Sequence, residues 1–454
     1  MTNTIEDITT HADVIMIVGA NPEEAHPVLG MQVRRAVEEG AKLIVVDPRD
    51  IGLAKLADIH LKLQPGTNVA FANGIVHVLI REGLVDEAFV ADRTEGFKEL
   101  KEMTAAYTPE RVAEICRIDA RDLVAAARLY GEAGTAAIMY CLGVAEHTTA
   151  TDGVRALANI ALANGKVGRA GCGVNPIRGQ NNVQGACDMG AMPTDFTGYQ
   201  KVFDDAARAK FEAAWGVSLK AEPGLRSTEV LPAAIEGRVK GLFICGEDPV
   251  RSDPDTTHVV RALESLEFLV VDDLFLTETA RYADVVLPSC SYAEKEGTFT
   301  NTERRIQRVR KAVEPVGAAK TDIEIAVEIM NRMGYAQPHL TSAEVMDEIA
   351  RLTPSYGGVS HARLDSAEVA GRGLQWPCPT PDHPGTPIMH VGAFARGRGL
   401  FSPAEYRPSA ETTDAEFPLI LSTGRVLHQY NACAMTGRTS GLNEIGDTSF
   451  IEVN

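Results

Sequence analysis

One passage of this chain is written twice. Residues 12–63 read ADVIMIVGANPEEAHPVLGMQVRRAVEEGAKLIVVDPRDIGLAKLADIHLKL, and residues 241–289 read GLFICGEDPVRSDPDTTHVVRALESLEFLVVDDLFLTETARYADVVLPS. In each copy an apolar run ends in a Gly-x-x-Pro turn, Gly19 to Pro22 and Gly246 to Pro249, and a helical stretch follows. A second apolar run then closes on an aspartate, Asp47 in the first copy and Asp272 or Asp273 in the second. Asp58 and Asp284, each preceded by alanine, open the next strand, and Asp47–Asp58 and Asp273–Asp284 share the same spacing of 11 positions. Agreement in turn, closing aspartate and spacing points to two α/β units with equivalent binding edges, and so to a ligand with two similar arms. The alternative is a duplicated fold with one live site.

At 454 residues the chain is long enough for several globular units with their own cores. A formal charge of -18 repels a phosphate backbone, which argues against a nucleic-acid partner. Arg304, Arg305, Arg308, Arg310 and Lys311 form the one basic cluster, either a phosphate patch or a charged strand face. No apolar run is long enough to span a bilayer, and the opening MTNTIEDITTHAD has no basic region followed by an apolar one. A cytoplasmic protein with no membrane span is expected. The eight cysteines include no Cys-x-x-Cys pair, so neither a zinc knuckle nor a local iron–sulfur motif can be built, and reduced structural thiols are expected.

Branched apolar runs at Val14–Val18, Leu43–Val46 and Ala137–Cys141 predict buried parallel strands. Glu24–Glu39, Val69–Glu82 and Asp119–Ala133 have helical periodicity. Gly165–Pro193 holds too many Gly, Asn and Pro residues for a regular element and reads as a folded binding loop. A second α/β unit follows over roughly 225–290, then covering loops over 335–415, then strand-like alternation from Phe417 in PLILSTGR and TSFIEVN. The expected fold class is α/β, with two related Rossmann-like parallel-sheet units over 1–180 and 181–415 and the start of a β-barrel over 416–454.

Free N–H groups at a strand-to-helix turn can hold a phosphate, and an aspartate at the next strand end can accept from a ribose or a purine amino group. Neither copy contains Gly-x-Gly-x-x-Gly, so a nicotinamide fingerprint is absent. Each turn taken alone also suits a plain structural loop.

Specificity comes from NPIRGQNNVQGACDMG at Asn175–Gly190, taken with GANPEEAHP, VVDPR, LQPGTN, ICGEDP, ADVVLPS followed by AEKEGTFTNTERRIQ, and LSTGR. In this order these segments resemble the catalytic alpha subunit of the molybdenum- or tungsten-dependent formate dehydrogenases, which carry bis-molybdopterin guanine dinucleotide. The resemblance runs over essentially the whole chain. It implies the molybdopterin oxidoreductase fold and accounts for the duplication, because that cofactor has two pterin–guanine arms about a near two-fold axis.

The resemblance assigns the formate carboxylate to Arg178, whose planar guanidinium fork suits it and stays charged at working pH. Gln180 and Asn182 would donate amide hydrogen bonds to the pterin or a neighbouring loop. Asn21, Glu24, His26, Asp47, Arg49, Gly66, Thr67 and Asn68 would frame one guanine dinucleotide, Asn68 standing where many relatives have aspartate. Leu142, Gly143 and Glu146 would form the lip near the metal, Glu146 in place of the family's glutamine. Asp248, Asp272, Asp273, Lys295 and Asp322 would serve the other arm, and Thr423, Gly424, Arg425 and His428 would close over the pterins.

The family's iron–sulfur motif and its metal-ligating cysteine or selenocysteine are not found in this sequence, so no residue here is assigned to the metal. The expectation is a fragment, inactive alone, of a parent that oxidises formate to carbon dioxide. The parent would pass electrons through iron–sulfur centres to iron–sulfur or flavin partner subunits, with NAD or another molecule as the final acceptor. The rival readings are another member of the family, such as a nitrate reductase, and a non-catalytic scaffold subunit.

Overall fold

A computed structural model describes residues 1–446 and 451. The chain forms two compact units, Met1–Gly179 with Pro387–Leu427, and Gln180–Thr386 with His428–Asn454.

The first unit is built on a parallel sheet in the order Ile59–Leu61, Lys42–Val46, Val14–Val18, Ala136–Tyr140, Gly173–Pro176. The expected strands appear within a residue of their sequence limits. Alternation sends Val14, Met16, Val18, Ile44 and Ile138 to one apolar cluster and Ile15, Ile17, Leu43, Val45 and Met139 to the other, so both faces are buried. Each buried branched side chain contributes about 1.5–3 kcal/mol. Helices Asn68–Arg81, Ala120–Glu132 and Ala150–Ala163 cover one face; Ile5–His11 and Pro27–Glu38 cover the other. The predicted helix Glu24–Glu39 is broken into Pro22–Ala25 and Pro27–Glu38, because Pro27 cannot donate the hydrogen bond that would continue it.

Residues 387–427 join this unit. Buried Asn73 donates to the Ala404 carbonyl at 2.8 Å, Asn159 exchanges bonds with Ser402 at 2.9 and 3.0 Å, and the Phe401 ring packs 5.2 Å from that of Phe97. The limits 181–415 therefore do not follow the packing of the chain.

The Ala120–Glu132 helix starts at Asp119, whose carboxylate accepts from the Arg121 N–H at 2.8 Å and pairs with the Arg121 guanidinium at 2.7 Å. Those bonds hold the Asp119 carboxyl down at about 2. A depressed carboxyl stabilises the fold above its ordinary range near 3.8 and loses that contribution as the pH falls through the folded value. The cap is expected to stay intact at neutral pH, weaken below about pH 4 and be gone near pH 2. Amide exchange at Arg121 followed against pH checks it; loss of protection already at pH 5 would contradict this assignment.

In the second unit a parallel sheet runs Val285–Pro288, Phe268–Asp273, Gly241–Cys245, with Ile244, Leu269, Val271 and Val259 in its core. A small antiparallel sheet joins Gly297–Thr300, Arg305–Val309 and Leu374–Gln375.

Three expectations are corrected. Gly165–Pro193 contains two regular elements, the Gly173–Pro176 strand and the Val183–Asp188 helix, because neighbouring strands and buried side chains override weak local propensity. The span 335–415 contains the helix Ser342–Leu352, announced by the capping box of Thr341 and Glu344. PLILSTGR belongs to none of the strands: Leu419 and Leu421 are exposed, with no neighbouring strand among the described residues to complete them. Apart from Ile451, the strand expected over TSFIEVN lies outside the described residues.

Four of the five basic side chains pair with carboxylates and the fifth, Arg304, is buried, which removes the phosphate-patch reading. Arg305 pairs with Glu303 at 2.6 Å, Arg308 with Asp365 at 3.1 Å and Glu296 at 3.7 Å, Arg310 with Asp365, and Lys311 with Glu314 at 2.5 Å. Among the described residues, no helix is long and apolar enough to cross a membrane.

Candidate functional site

The two written copies fold into two matching edges, one in each unit. Gly19 and Gly246 end their strands in the left-handed region, at φ 54° and 64°. Each N–H donates at 2.8 Å to the carbonyl at the equivalent place in the next strand, Val46 and Asp272. Asn21 and Asp248 stand before the short helices Pro22–Ala25 and Pro249–Ser252 with nearly the same backbone angles, -115°/84° and -121°/73°. Asp47 and Asp273 each accept from the backbone two residues on, Arg49 at 2.9 Å and Phe275 at 3.1 Å. Asp58 and Asp284 each exchange bonds with the first half of the preceding strand, donating to and accepting from Leu43 and Leu269. The equivalence read from spacing is thus an equivalence of hydrogen bonds.

At the first edge, the Asn21 Oδ1 and His26 Nδ1 atoms are buried with no partner among the described residues. His26 Nε2 lies 2.6 Å from the Arg178 carbonyl, and burial pulls the imidazole below its ordinary range, so it is neutral at pH 7. Glu24 accepts from the Leu427 N–H at 2.8 Å, which ties the 423–427 segment to this edge. Gly424 lies against Arg49, since a Cβ there would sit 2.2 Å from the guanidinium. Gly179 faces Arg425, whose Nη2 would be 3.3 Å from an added Cβ, and the Arg425 charge is felt by both His26 and Cys141. Gly143 donates to the Gly19 carbonyl at 3.0 Å and accepts from Asn68 Nδ2 at 3.0 Å. Burial raises Asp47, against the opposing Arg49 N–H bond. Gly66, at φ 89°, and Thr67 lead into the Asn68–Arg81 helix, while Leu142 and Glu146 bracket the short turn beside Gly143. The exposed Thr423 precedes Gly424.

At the second edge, Asp248 Oδ1 accepts from the Thr279 N–H at 2.9 Å and hydroxyl at 2.6 Å, leaving Oδ2 buried and without a partner among the described residues. Asp272 is buried with its Oδ1 likewise unpartnered, and burial raises both Asp272 and Asp273. Asp322 pairs with Lys295, and its carboxylate, that of Asp272 and the Cys245 sulfur lie within 4.8 Å of one another. Partial desolvation and the Asp272 and Asp322 carboxylates push the surface-exposed Cys245 thiol up to about 12, so it serves as a donor, 3.6 Å from Asp272 Oδ2. Cys245 was missed as a site neighbour; its signal is its register opposite Asp272 across the sheet.

Gln180 and Asn182 belong to the second unit. Asn182, at φ 58°, opens the Val183–Asp188 helix and accepts from the Thr300 N–H at 2.9 Å, while Gln180 accepts from Val183 at 3.5 Å. His428 is in the second unit, its Cβ against Gly446, whereas Thr423, Gly424 and Arg425 are in the first.

A family model for molybdopterin oxidoreductases matches residues 1–332. This chain belongs to the molybdopterin oxidoreductase family. Among its relatives are the F420-dependent formate dehydrogenase 2 subunit alpha of Methanococcus maripaludis, 49% identical over 100% of this chain and 67% of that one, and the F420-dependent formate dehydrogenase subunit alpha of Methanocaldococcus jannaschii, 46% identical with the same coverage. Formate dehydrogenase H of Escherichia coli is 42% identical over 98% of this chain and 62% of its own length. The chain thus spans about two thirds of the length of these relatives. Among solved structures, acetylene hydratase from Pelobacter acetylenicus superposes with a TM-score of 0.63 at 23% identity, over 79% of this chain and 51% of that one, a likeness of fold.

Family membership implies a pterin cofactor carrying molybdenum or tungsten. The residues present fit such a group: buried acceptors left unpaired at the ends of strands are costly unless a ligand supplies donors, and both edges have them at equivalent places.

Proposed function

We propose that the protein oxidises formate to carbon dioxide, with bis-molybdopterin guanine dinucleotide as its cofactor and one guanosine arm held by each unit. Asn21, Asp47, Arg49 and Asn68 would hold one arm, and Asp248, Asp272 and Asp273 the other. When bound, the metal and pterins supply two-electron redox chemistry, with iron–sulfur centres leading electrons to a partner subunit.

The chain's own part is to bind and orient. Oxidising formate removes two electrons and one proton at its C–H bond, so the carboxylate must be held with that bond directed inward. Arg178 offers the planar fork for this. The observation that most supports the reading is the anchoring of Arg178 itself: its carbonyl meets His26 Nε2 at 2.6 Å, and its neighbour Gly179 is bare against Arg425. The Arg425 charge acts on the neutral His26 imidazole, which suits a small anion held near Arg178.

The test is dye reduction by the full-length holoenzyme, supplied with formate or nitrate as the sole substrate. Formate-dependent reduction is expected; nitrate turnover without formate turnover would transfer the protein to another branch of the family.

A further inference from the structure

Asp188, the last residue of the Val183–Asp188 helix, is fully buried. A carboxylate at the end of a helix faces the negative pole of the helix dipole, and burial strips it of water, so local structure disfavours it twice. Four donors converge on it. Gln184 Nε2 at 2.8 Å and Tyr199 Oη at 2.7 Å meet Oδ1, while Tyr356 Oη and Trp376 Nε1, both at 2.7 Å, meet Oδ2. They come from separate stretches of the second unit, so a single carboxylate ties the helix to three other segments. All four donors are neutral. The compensating charge is Arg304, also buried, which lies over the Trp376 ring at 5.6 Å and donates to the Trp376 and Thr386 carbonyls.

An apolar side chain would fill this position at lower desolvation cost, so the retained charge serves orientation more than stability. The opposite end of the helix is where orientation matters. Asn182 sits there in the left-handed region, its Oδ1 on the Thr300 N–H at 2.9 Å. Gly185, midway, allows the close approach: a Cβ would meet Asn182 Oδ1 at 2.2 Å. The Asn181 N–H donates to the Tyr430 hydroxyl at 2.6 Å. The helix is therefore clamped at both ends, and a slip at Asp188 must move Asn182.

We propose that Asp188 is a positioning residue: its buried carboxylate, gripped by Gln184, Tyr199, Tyr356 and Trp376, sets the register of the helix and so aims Gln180 and Asn182 at the pterin cofactor. This rests on the proposed role of Gln180 and Asn182 as cofactor contacts.

The experiment compares Asp188→Asn, Tyr356→Phe, Trp376→Phe and Asn182→Ala in the full-length enzyme. The readouts are fluorescent pterin released per chain on denaturation and the melting midpoint. Asp188→Asn keeps the shape but turns an amide N–H toward donors. It is expected to retain at most a tenth of the parental pterin, and Tyr356→Phe and Trp376→Phe about half to a fifth when assayed well below their own lowered midpoints, a depletion of folded chains that a merely structural role would not give. Should Asp188→Asn fail to fold, the two single-donor variants decide. Parental pterin in the Asp188, Tyr356 and Trp376 variants, with Asn182→Ala depleted, overturns the positioning role alone. Parental pterin in Asn182→Ala overturns the cofactor reading beneath it.

Discussion

Replacing Arg178 by lysine in the full-length holoenzyme is expected to lower kcat/KM for formate by about a hundredfold or more, with pterin content unchanged. Lysine keeps the charge and loses the fork. A single ammonium can attract formate but cannot fix its plane, and a misplacement of about 1 Å at a reacting centre costs roughly a hundredfold, equivalent to about 2.7 kcal/mol. The loss should appear mostly in KM if the fork acts on binding, and in kcat if it acts on alignment. Steady-state kinetics together with released pterin separate the substrate effect from cofactor loss. A variant with parental kcat/KM would remove Arg178 from the substrate site.

The repeat supplies a second large effect with a built-in control. In the first unit Gly19 and Gly143 touch: an alanine Cβ at Gly19 would lie 2.6 Å from the Gly143 carbonyl carbon, and one at Gly143 would lie 2.6 Å from the Gly19 Cα. Both obstacles are backbone and cannot rotate away. Gly246, the counterpart of Gly19, has the same left-handed backbone but, among the described residues, nothing within 4 Å of its added Cβ. Gly246→Ala should therefore cost only the conformational strain, about 1–2 kcal/mol. Gly19→Ala should cost that plus about 1–3 kcal/mol of overpacking. Urea unfolding of the two variants against the parent measures the difference; equal losses would mean that the Gly19–Gly143 approach is not as close as described.

Much of the architecture was readable from residues. Val14–Val18 and Ala136–Tyr140 are short apolar runs buried along their whole length, as the central strands of a parallel sheet are. The matched spacing of Asp47–Asp58 and Asp273–Asp284 announced paired turns because the hydrogen bonds of Asp58 and Asp284 depend on where the strand ends. The helix Val183–Asp188 was hidden because its stability lies in the distant partners of Asp188, which no local pattern displays. The basic run at Arg304–Lys311 left a phosphate patch open beside the charged strand face for the same reason, since partners such as Asp365 and Glu296 are remote in sequence or off the run itself. Cys245 carries no motif, and its place beside Asp272 follows from sheet register.

The two sheets differ at one flank. Val14–Val18 is enclosed by Lys42–Val46 and Ala136–Tyr140, whereas Gly241–Cys245 has Phe268–Asp273 on one side and, among the described residues, no strand on the other. Phe243 and Phe268 stand exposed on that same sheet. An uncapped row of amides and carbonyls next to bare aromatic rings is a template onto which a foreign strand can grow. Concentrated samples of this polypeptide are then expected to lose monodispersity sooner than dilute ones.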